Sequence, residues 1–233
     1  MTGLATQNDC LPAANPCRVC RSGHVIPFQV IEGQDYWRCP TCAATFLDIA
    51  QLPDRPTERA RYLLHENDPH DAGYRSFLSR LATPLLDKLP PGREGLDYGC
   101  GPGPALAHML TEAGHTVRLY DPFFHPDASA LRHTYDFITC TEVAEHFHQP
   151  AREFARLDAL LRPGGWLAIM TCFATDDRRF ADWHYRRDPT HVVFYRPQTF
   201  HYLAAQLGWD CEIPTQDVVL MRKADLSTTR IND

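Results

Sequence analysis

Apolar positions change their spacing along the chain, and the spacing predicts where strands and helices alternate. Short apolar runs of the kind that form buried strands recur after residue 93, with leucines at helical spacing between them. Such alternation favours an α/β fold, with a mostly parallel sheet covered by helices on both faces and a ligand at the carboxyl ends of the strands. The predicted strands are residues 95–98, 117–121, 135–143 and 166–171, and residues 212–213 and 218–221 fit an antiparallel pair at the sheet edge.

Two helical patterns precede this region and follow a proline-rich boundary. Apolar residues recur at intervals of three and four over residues 57–65 and 74–89. We therefore expect residues 51–92 to form a helical linker. Polar groups beside its apolar face are what a lid over a small-molecule pocket would show, and a plain loop between helices is the alternative. These polar groups are His65, Asn67 and Tyr74.

The first fifty residues carry a different signature, two Cys-x-x-Cys pairs separated by 18 residues. Each pair places two thiolates on one tight turn, and two such turns complete a tetrahedral Zn²⁺ site. We predict that residues 1–50 form a zinc ribbon whose metal is structural, because four protein ligands leave no open position. The alternative is four buried thiols without a metal. The predicted ligands are Cys17, Cys20, Cys39 and Cys42.

Composition narrows the function classes. The 233-residue chain is 44% hydrophobic and 22% charged, which suits one full domain with a small appendage. Its net charge of −6 disfavours a nucleic-acid partner, since phosphate contacts normally demand a basic face. The chain opens on no export signal, and no apolar run is long enough to cross a bilayer, so we expect a cytoplasmic protein without a membrane partner. Composition leaves the oligomeric state open.

A glycine-rich turn joins the first predicted strand of the sheet to a helix. Gly99, Gly101 and Gly103 alternate there, and because glycine has no Cβ, the backbone N–H groups of such a turn stay open to a ligand. A dinucleotide fingerprint needs glycine at its sixth position, where this chain has Pro104. The turn therefore argues against a dehydrogenase.

The stretch from Asp97 to Gly103 instead resembles the first motif of the class I S-adenosylmethionine-dependent methyltransferases. Residues 135–143 and 161–166 are similar to the family's fourth-strand and fifth-strand motifs, so that the resemblance covers about residues 93–222. It implies a Rossmann-like fold, S-adenosylmethionine as cofactor, and Asp121 as the acid that holds the ribose hydroxyls. The cofactor-binding residues that it implies are Asp97, Gly99, Gly101, Gly103, Asp121, Thr141 and Glu142.

The chain departs from the family's pattern in one place. Only 13 residues separate Asp121 from Tyr135, which leaves little room for the helix and third strand that usually intervene. The residue that contacts adenine normally comes from that region in the family. The sequence therefore leaves the adenine contact unassigned.

Acidic and histidine side chains follow the predicted strand at residues 135–143. One turn after the strand would aim three of them, Glu142, Glu145 and His146, at one point. The same Glu-x-x-Glu-His pattern occurs in the ubiquinone-biosynthesis O-methyltransferases and the small-RNA 2′-O-methyltransferases, where it binds a divalent metal. In the RNA enzymes a further histidine arrives from a loop after the fifth strand, the place that His191 takes here. The resemblance implies a second metal site for Mg²⁺ or another divalent ion, held by Glu142, Glu145, His146 and His191.

The alternative at this place is that Glu145 and His146 cap a helix and order the cofactor loop without a metal. His146 or His191 then remains a candidate general base, because imidazole titrates near neutral pH. Residues 173–200 form a loop-rich insertion at the carboxyl edge of the sheet, where insertions normally shape a substrate pocket. The catalytic candidates are therefore His146, His191 and Glu142.

These features together predict a two-module enzyme that O-methylates a small molecule, with residues 93–233 as its methyltransferase domain. In one rival interpretation the zinc ribbon docks ribosomal or transfer RNA, which Arg18, Arg21 and Arg38 near the cysteine pairs would favour. A second rival is a sugar C-methyltransferase, whose amino-terminal cysteine motif is also similar. A third is a binding or assembly protein without catalytic activity.

Overall fold

A computed structural model describes residues 16–64 and 67–225 of the chain. Three parts of the predicted modules lie outside the described residues. They are the predicted lid residue His65, residues 1–15 of the predicted zinc ribbon and residues 226–233 of the predicted methyltransferase domain. Within the described ranges, no helix combines the length and the apolar character that crossing a membrane requires.

Ten strands and five α-helices form the framework of the described residues, and the strands pair into one sheet of six and one of four. In chain order the strands are β1 (Ile26–Ile31), β2 (Gln34–Arg38), β3 (Thr45–Leu47), β4 (Glu94–Tyr98), β5 (Thr116–Tyr120), β6 (Tyr135–Thr141), β7 (Leu161–Met170), β8 (Val193–Phe194), β9 (Asp210–Thr215) and β10 (Val218–Arg222). The helices are α1 (Arg55–Tyr62), α2 (Ala72–Leu86), α3 (Ala105–Glu112), α4 (Pro150–Leu160) and α5 (Pro197–Leu207).

The larger sheet has the strand order β5-β4-β6-β7-β10-β9. Its first four strands run parallel, with α3 connecting β4 to β5 and α4 connecting β6 to β7, and β10 lies antiparallel between β7 and β9. The predicted strands and the antiparallel pair at the edge are therefore present. The predicted Rossmann-like α/β fold with a mostly parallel sheet is confirmed.

Helices cover both faces of this sheet. Successive residues of a strand point to opposite faces, so each strand contributes side chains to two apolar clusters. Phe137, Ala168 and Leu220 lie in one apolar cluster with leucines of α2 and α3. The next residues along the same strands lie in a second cluster with residues of α4 and α5. These neighbours are Ile138, Leu167 and Val219. The two-sided burial explains why these strands are apolar throughout rather than at alternate positions.

The smaller sheet has the order β1-β2-β3-β8, and all its pairs are antiparallel. Its fourth strand, β8, comes from the insertion that follows β7. The ring centroid of Phe180 lies 5.1 Å from that of Tyr36 on β2 and 5.1 Å from that of Phe194 on β8. The cysteine-rich region thus shares a sheet and an apolar core with the insertion, while the division of the chain at residues 50 and 92 stays a prediction.

The segment between β5 and β6, residues 122–134, contains a short 3-10 turn at Ala130–Arg132 and no strand of the larger sheet. Strand β5 therefore lies at the edge of that sheet. The structure agrees with the expectation that this segment leaves little room for a helix and a third strand.

Candidate functional site

A cavity of about 650 Å³ opens at the carboxyl ends of β4, β5 and β6. Helix α1 and the insertion after β7 line its opposite side, through residues such as Tyr62 and Asp188. A parallel sheet places its ligands at this edge. The predicted site residues that line the cavity are Asp97, Gly99, Gly101, Gly103, Asp121, Thr141, Glu142, His146 and His191, whereas Glu145 is buried behind it.

The turn after β4 keeps its shape because two of its positions accept only glycine. Gly99 has a φ of +80°, and a Cβ there would come within 2.5 Å of the Val143 side chain. A Cβ on Gly103 would collide with the backbone carbonyl of Asn67, a residue of the predicted lid. The two glycines therefore allow the turn to pack closely against the turn that follows β6 and against the linker.

Asp121 ties the end of β5 to the glycine turn. One carboxylate oxygen accepts hydrogen bonds from the N–H groups of Phe123 (2.8 Å) and Phe124 (3.0 Å), and the other accepts from the N–H of Gly101 (3.1 Å). These three donors fix the orientation of the Asp121 carboxylate at the cavity wall. Thr141, at the end of β6, has a buried hydroxyl with no hydrogen-bond partner among the described residues. Buried polar groups are normally hydrogen-bonded, so this hydroxyl is suited to bind a ligand.

His146 and His191 have the same hydrogen-bonding arrangement. Nδ1 of His146 lies 2.9 Å from the carbonyl of Thr190, and Nδ1 of His191 lies 2.7 Å from the carbonyl of Tyr185. A backbone carbonyl only accepts hydrogen bonds, so each Nδ1 carries a proton, and Nε2 is the nitrogen with the lone pair when the ring is neutral. Burial lowers the pKa of His146, which keeps this ring neutral at pH 7.

Glu145 is fully buried beside the histidines. Its carboxylate accepts hydrogen bonds from the hydroxyls of Tyr185 (2.5 Å) and Thr171 (3.0 Å). Glu145, His146 and His191 each bring one potential ligand atom into a group whose members all lie within 4.8 Å of one another. A carboxylate has about four acceptor positions, so two hydroxyl donors leave capacity for a cation. One carboxylate with two imidazoles suits a divalent transition metal that keeps open positions.

Glu142 lies outside that group of three but lines the same cavity. Its φ of +53° is unusual for a residue other than glycine. Burial, and then the negative charge of Glu145, raise the pKa of Glu142 to about 9. Its carboxyl group therefore holds a proton at neutral pH unless a cation lies beside it.

Helix α1 closes the cavity from the opposite side. Tyr62 packs edge-on against His146, with ring centroids 5.1 Å apart, and against Phe123 at 5.3 Å. Arg61 forms a 2.8 Å ion pair with Asp188 in the insertion. Contacts at both the strand-β6 turn and the insertion agree with the predicted lid role of this linker, which stays a prediction.

The family of the chain follows from comparison with known proteins. A profile of the family described as "Methyltransferase domain" matches residues 70–212, which is more than half of the chain. The chain belongs to this family. The match runs from just before α2 into β9, so it contains both histidines and most of the cavity lining but not helix α1. The resemblance to methyltransferases that the motifs indicated is confirmed.

Curated relatives of this methyltransferase include ubiquinone biosynthesis O-methyltransferases. The one from Nitrosospira multiformis is 29% identical over 132 residues, which cover 46% of this chain and 51% of the relative. The one from Thiobacillus denitrificans is 31% identical over 104 residues, which cover 34% of this chain and 44% of the relative. The chain thus spans about half the length of these relatives.

Solved structures with a similar fold are more distant. The magnesium protoporphyrin IX methyltransferase of Synechocystis has a TM-score of 0.49 and 14% identity, and the match covers 72% of this chain and 94% of that one. An O-methyltransferase family protein from Burkholderia thailandensis has a TM-score of 0.47 and 18% identity, over 73% of this chain and 63% of that one.

The methyltransferase also has the predicted cluster of four cysteines, near its amino terminus. All four sulfur atoms lie within 4.8 Å of one another, with Cys17 and Cys42 at 3.7 Å and Cys20 and Cys39 at 3.6 Å. Tetrahedral Zn²⁺ with bonds of about 2.3 Å places its sulfurs about 3.8 Å apart, whereas a disulfide needs about 2.05 Å. The hydrogen bond from Cys42 lowers the pKa of Cys17 to about 5. The cluster fits a small amino-terminal zinc site.

Sequence patterns missed several residues that shape the site. Tyr185 bonds Glu145 through its hydroxyl and His191 through its carbonyl, yet the sequence marked it only as part of the insertion. The sequence patterns also missed Thr171 and Thr190, each of which contacts a site residue from another segment of the chain. The one available signal was proximity, because Tyr185 and Thr190 flank the Asp-Pro pair that precedes His191.

Proposed function

We propose that this methyltransferase transfers the methyl group of S-adenosylmethionine to a hydroxyl oxygen of a small-molecule acceptor. The observation that carries the proposal is the pair of histidines whose Nδ1 atoms donate to carbonyls at a cavity beside a glycine turn, so that Nε2 is the proton-accepting nitrogen of each neutral ring. Two such nitrogens suit the removal of a proton from a bound hydroxyl.

The cavity has the features that the cofactor needs. Its glycine turn leaves no Cβ at the points of close approach, Asp121 offers a carboxylate for the ribose hydroxyls, and the hydroxyl of Thr141 lacks a partner among the described residues. We assign cofactor binding to Asp97, Gly99, Gly101, Gly103, Asp121, Thr141 and Glu142. The cavity volume of about 650 Å³ leaves room for a small acceptor beside it.

S-adenosylmethionine supplies an electrophilic methyl group on a sulfonium sulfur, so transfer breaks a sulfur–carbon bond, forms an oxygen–carbon bond and releases the hydroxyl proton. Nε2 of His146 or His191 accepts that proton. The enclosing residues Tyr62 and Tyr185 align the acceptor and exclude water, and alignment supplies most of the rate in an in-line displacement.

Two metal sites belong to the proposal. The four cysteines would hold a structural Zn²⁺, and Glu145, His146 and His191 would hold a divalent cation, a transition metal rather than Mg²⁺, with Glu142 as a further ligand. A histidine whose Nε2 binds this cation would be a ligand and not the base, so the histidine base is the role of a ring that holds no cation. Such a cation supplies positive charge that makes a nearby hydroxyl easier to deprotonate. A cation here would lower the pKa of Glu142, which burial and the charge of Glu145 raise to about 9, and would so favour its ionised form.

The arginines near the cysteine pairs favour a small acceptor over RNA. Arg38 donates two 2.7 Å hydrogen bonds to Asp177, and Arg18 donates to three backbone carbonyls. Only Arg21 of the three is exposed to solvent in the described structure. Two of the three charges that an RNA interface would need are therefore used inside the protein.

Calorimetry with S-adenosylmethionine tests the cofactor. We expect the wild-type protein to bind it and Asp121→Ala to bind it much more weakly, with Asp127→Ala in the following loop as the matched control. No binding by the wild-type protein, or equal binding by Asp121→Ala, would overturn the enzyme interpretation.

Transfer of a labelled methyl group from S-adenosylmethionine tests the acceptor class. We expect incorporation into a panel of small hydroxylated molecules and none into bulk RNA at low salt. Metal analysis of wild-type protein and His191→Ala should show zinc in both and a second divalent metal only in the wild type. Zinc alone in both would remove the divalent cation from the proposal and leave the histidine base intact.

A further inference from the structure

Arg18 lies inside the first cysteine pair, but its guanidinium group contacts the rest of the protein. Nη1 donates to the carbonyl of His148 (3.2 Å), and Nη2 donates to the carbonyls of Leu47 (2.8 Å) and Val192 (3.2 Å). The ring of Phe46 lies 5.0 Å from the guanidinium carbon.

The three carbonyls belong to separate segments, and two of them adjoin the catalytic histidines. His148 follows His146 by two residues on the turn after β6, and Val192 follows His191 directly. A shared donor stabilises carbonyl oxygens that converge on one point, since a carbonyl can accept two hydrogen bonds and its burial is then less costly. The planar fork of arginine serves several acceptors at once, which the ammonium of lysine does less well.

Backbone hydrogen bonds join the same segments. The N–H of Ala151 donates to the carbonyl of Arg18 (2.9 Å), and the N–H of Val192 donates to the carbonyl of Glu145 (2.9 Å). The N–H of Leu47 completes the set with a 3.0 Å bond to the carbonyl of Val192. Hydrogen bonds therefore join the cysteine knuckle, the turn that carries His146 and the loop that carries His191 around Arg18.

We propose that Arg18 is a positioning residue for methyl transfer, which connects the cysteine knuckle to the two loops that hold His146 and His191 at their mutual spacing. The inference rests on the proposed function of these histidines. In this arrangement the amino-terminal module supports the active site from behind rather than docking a macromolecule. Arg18 touches neither the cavity nor a cysteine sulfur through its side chain, so it acts only through the loops that it holds.

The test compares Arg18→Gln with Arg21→Gln. Both variants remove one positive charge from the same knuckle, but Arg21 is exposed and makes no side-chain hydrogen bond or ion pair in the described ranges. Zinc content and S-adenosylmethionine affinity are measured first. We expect both variants to match the wild-type protein in these two properties, because Arg18 contacts neither the sulfur cluster nor the glycine turn.

The decisive reading is the histidine side-chain ¹⁵N NMR spectrum, taken without acceptor and assigned with His146→Gln and His191→Gln. We expect the Nδ1–H tautomer for both rings in the wild-type protein and in Arg21→Gln, and mixed tautomers in Arg18→Gln. We also expect kcat to fall by about 10- to 100-fold in Arg18→Gln with the KM for S-adenosylmethionine unchanged, as misplaced catalytic groups produce. The kcat of Arg18→Lys should lie between those of Arg18→Gln and the wild-type protein, since lysine keeps the charge but reaches fewer carbonyls.

Wild-type tautomers and kcat in Arg18→Gln would overturn the inference. So would a loss of zinc or of cofactor affinity in both Arg18→Gln and Arg18→Lys, because that result describes a general folding role. If Arg18→Gln does not fold, Arg18→Lys carries the comparison with the same readings. Absence of methyl transfer by the wild-type protein would remove the proposed function, while the NMR spectra still decide whether Arg18 orders the histidines.

Discussion

His146 and His191 lie edge to face with their ring centroids 4.7 Å apart, and one loop orients both of them. Nδ1 of His146 donates to the carbonyl of Thr190, and Nδ1 of His191 donates to the carbonyl of Tyr185. Both carbonyls therefore belong to the short segment 185–190 of one loop. The loop therefore sets the tautomer and the spacing of the two rings together. Changes that move the loop should affect both rings at once.

Replacing either histidine should reduce catalysis more than binding. We expect His146→Gln and His191→Gln each to lower kcat by about 10²- to 10⁴-fold, the usual contribution of a general base. S-adenosylmethionine affinity should change little. His201→Gln on α5 is the matched control, because His201 is exposed and far from the cavity lining. A kcat within twofold of wild type in both site variants would exclude the histidines as the base.

Asp97 should make the protein less stable as pH rises. It is 4% exposed, and burial raises the pKa of Asp97 to about 6 although Thr139 donates a 2.8 Å hydrogen bond to it. The unfolded chain releases this proton near pH 3.9, so between about pH 4 and pH 6 the folded state holds the extra proton and the free energy of unfolding falls as pH rises. Asp97→Asn should remove this slope and add up to about 3 kcal/mol at pH 7.5 while weakening cofactor binding.

Asp136→Asn provides the contrast in the same urea-unfolding series. Burial opposes ionisation of Asp136, but the N–H of Glu94 and the guanidinium of Arg162 outweigh it and lower the pKa of Asp136. Its carboxylate therefore contributes stability above about pH 4 that is lost as pH falls through the lowered pKa. The asparagine variant should be less stable than wild type at pH 7.5. Equal pH slopes in the Asp97→Asn and wild-type proteins would contradict the first expectation.

Arg61 should slow the escape of the cofactor through its ion pair with Asp188. Asp188 also accepts hydrogen bonds from the N–H (3.0 Å) and hydroxyl (2.7 Å) of Thr190, whose carbonyl holds His146. We expect Arg61→Met to speed dissociation of S-adenosylmethionine by about fivefold, equivalent to about 1 kcal/mol, with a smaller effect at high salt. Stopped-flow measurement against Arg59→Met, an exposed neighbour on α1, decides the point. Identical rates in the two variants would refute a lid role for this pair.

Loss of one cysteine ligand should loosen far more than the amino-terminal turn. Cys17, Cys39 and Cys42 belong to the same apolar cluster as residues of α4 and α5. We expect Cys42→Ser to lose zinc and to lower Tm by about 10 °C, which corresponds to about 3 kcal/mol in a chain of this size. Cys211→Ser on β9, outside the cluster of four, should keep both the zinc and the Tm. Unchanged zinc content in Cys42→Ser would rule out the four-sulfur site.

The amino-acid sequence alone determined the parts of this protein that depend on local spacing. Apolar periodicity predicted the parallel sheet and its helices, the doubled Cys-x-x-Cys pattern predicted the sulfur cluster, and the residues after each strand predicted the cavity lining. Counting the residues between Asp121 and Tyr135 was enough to foresee a segment without a strand of the larger sheet. Each of these features is written within one short stretch of chain.

Only the tertiary structure decided how the segments support one another. The pairing of β8 with β3, the hold of Tyr185 on His191 and the three carbonyls around Arg18 all join residues from separate parts of the chain. Hydrogen bonds between backbone groups of distant loops depend on where the fold brings the loops and leave no periodic trace in the sequence. Sequence could therefore name His146 and His191, whereas the fold determined which nitrogen of each carries the proton.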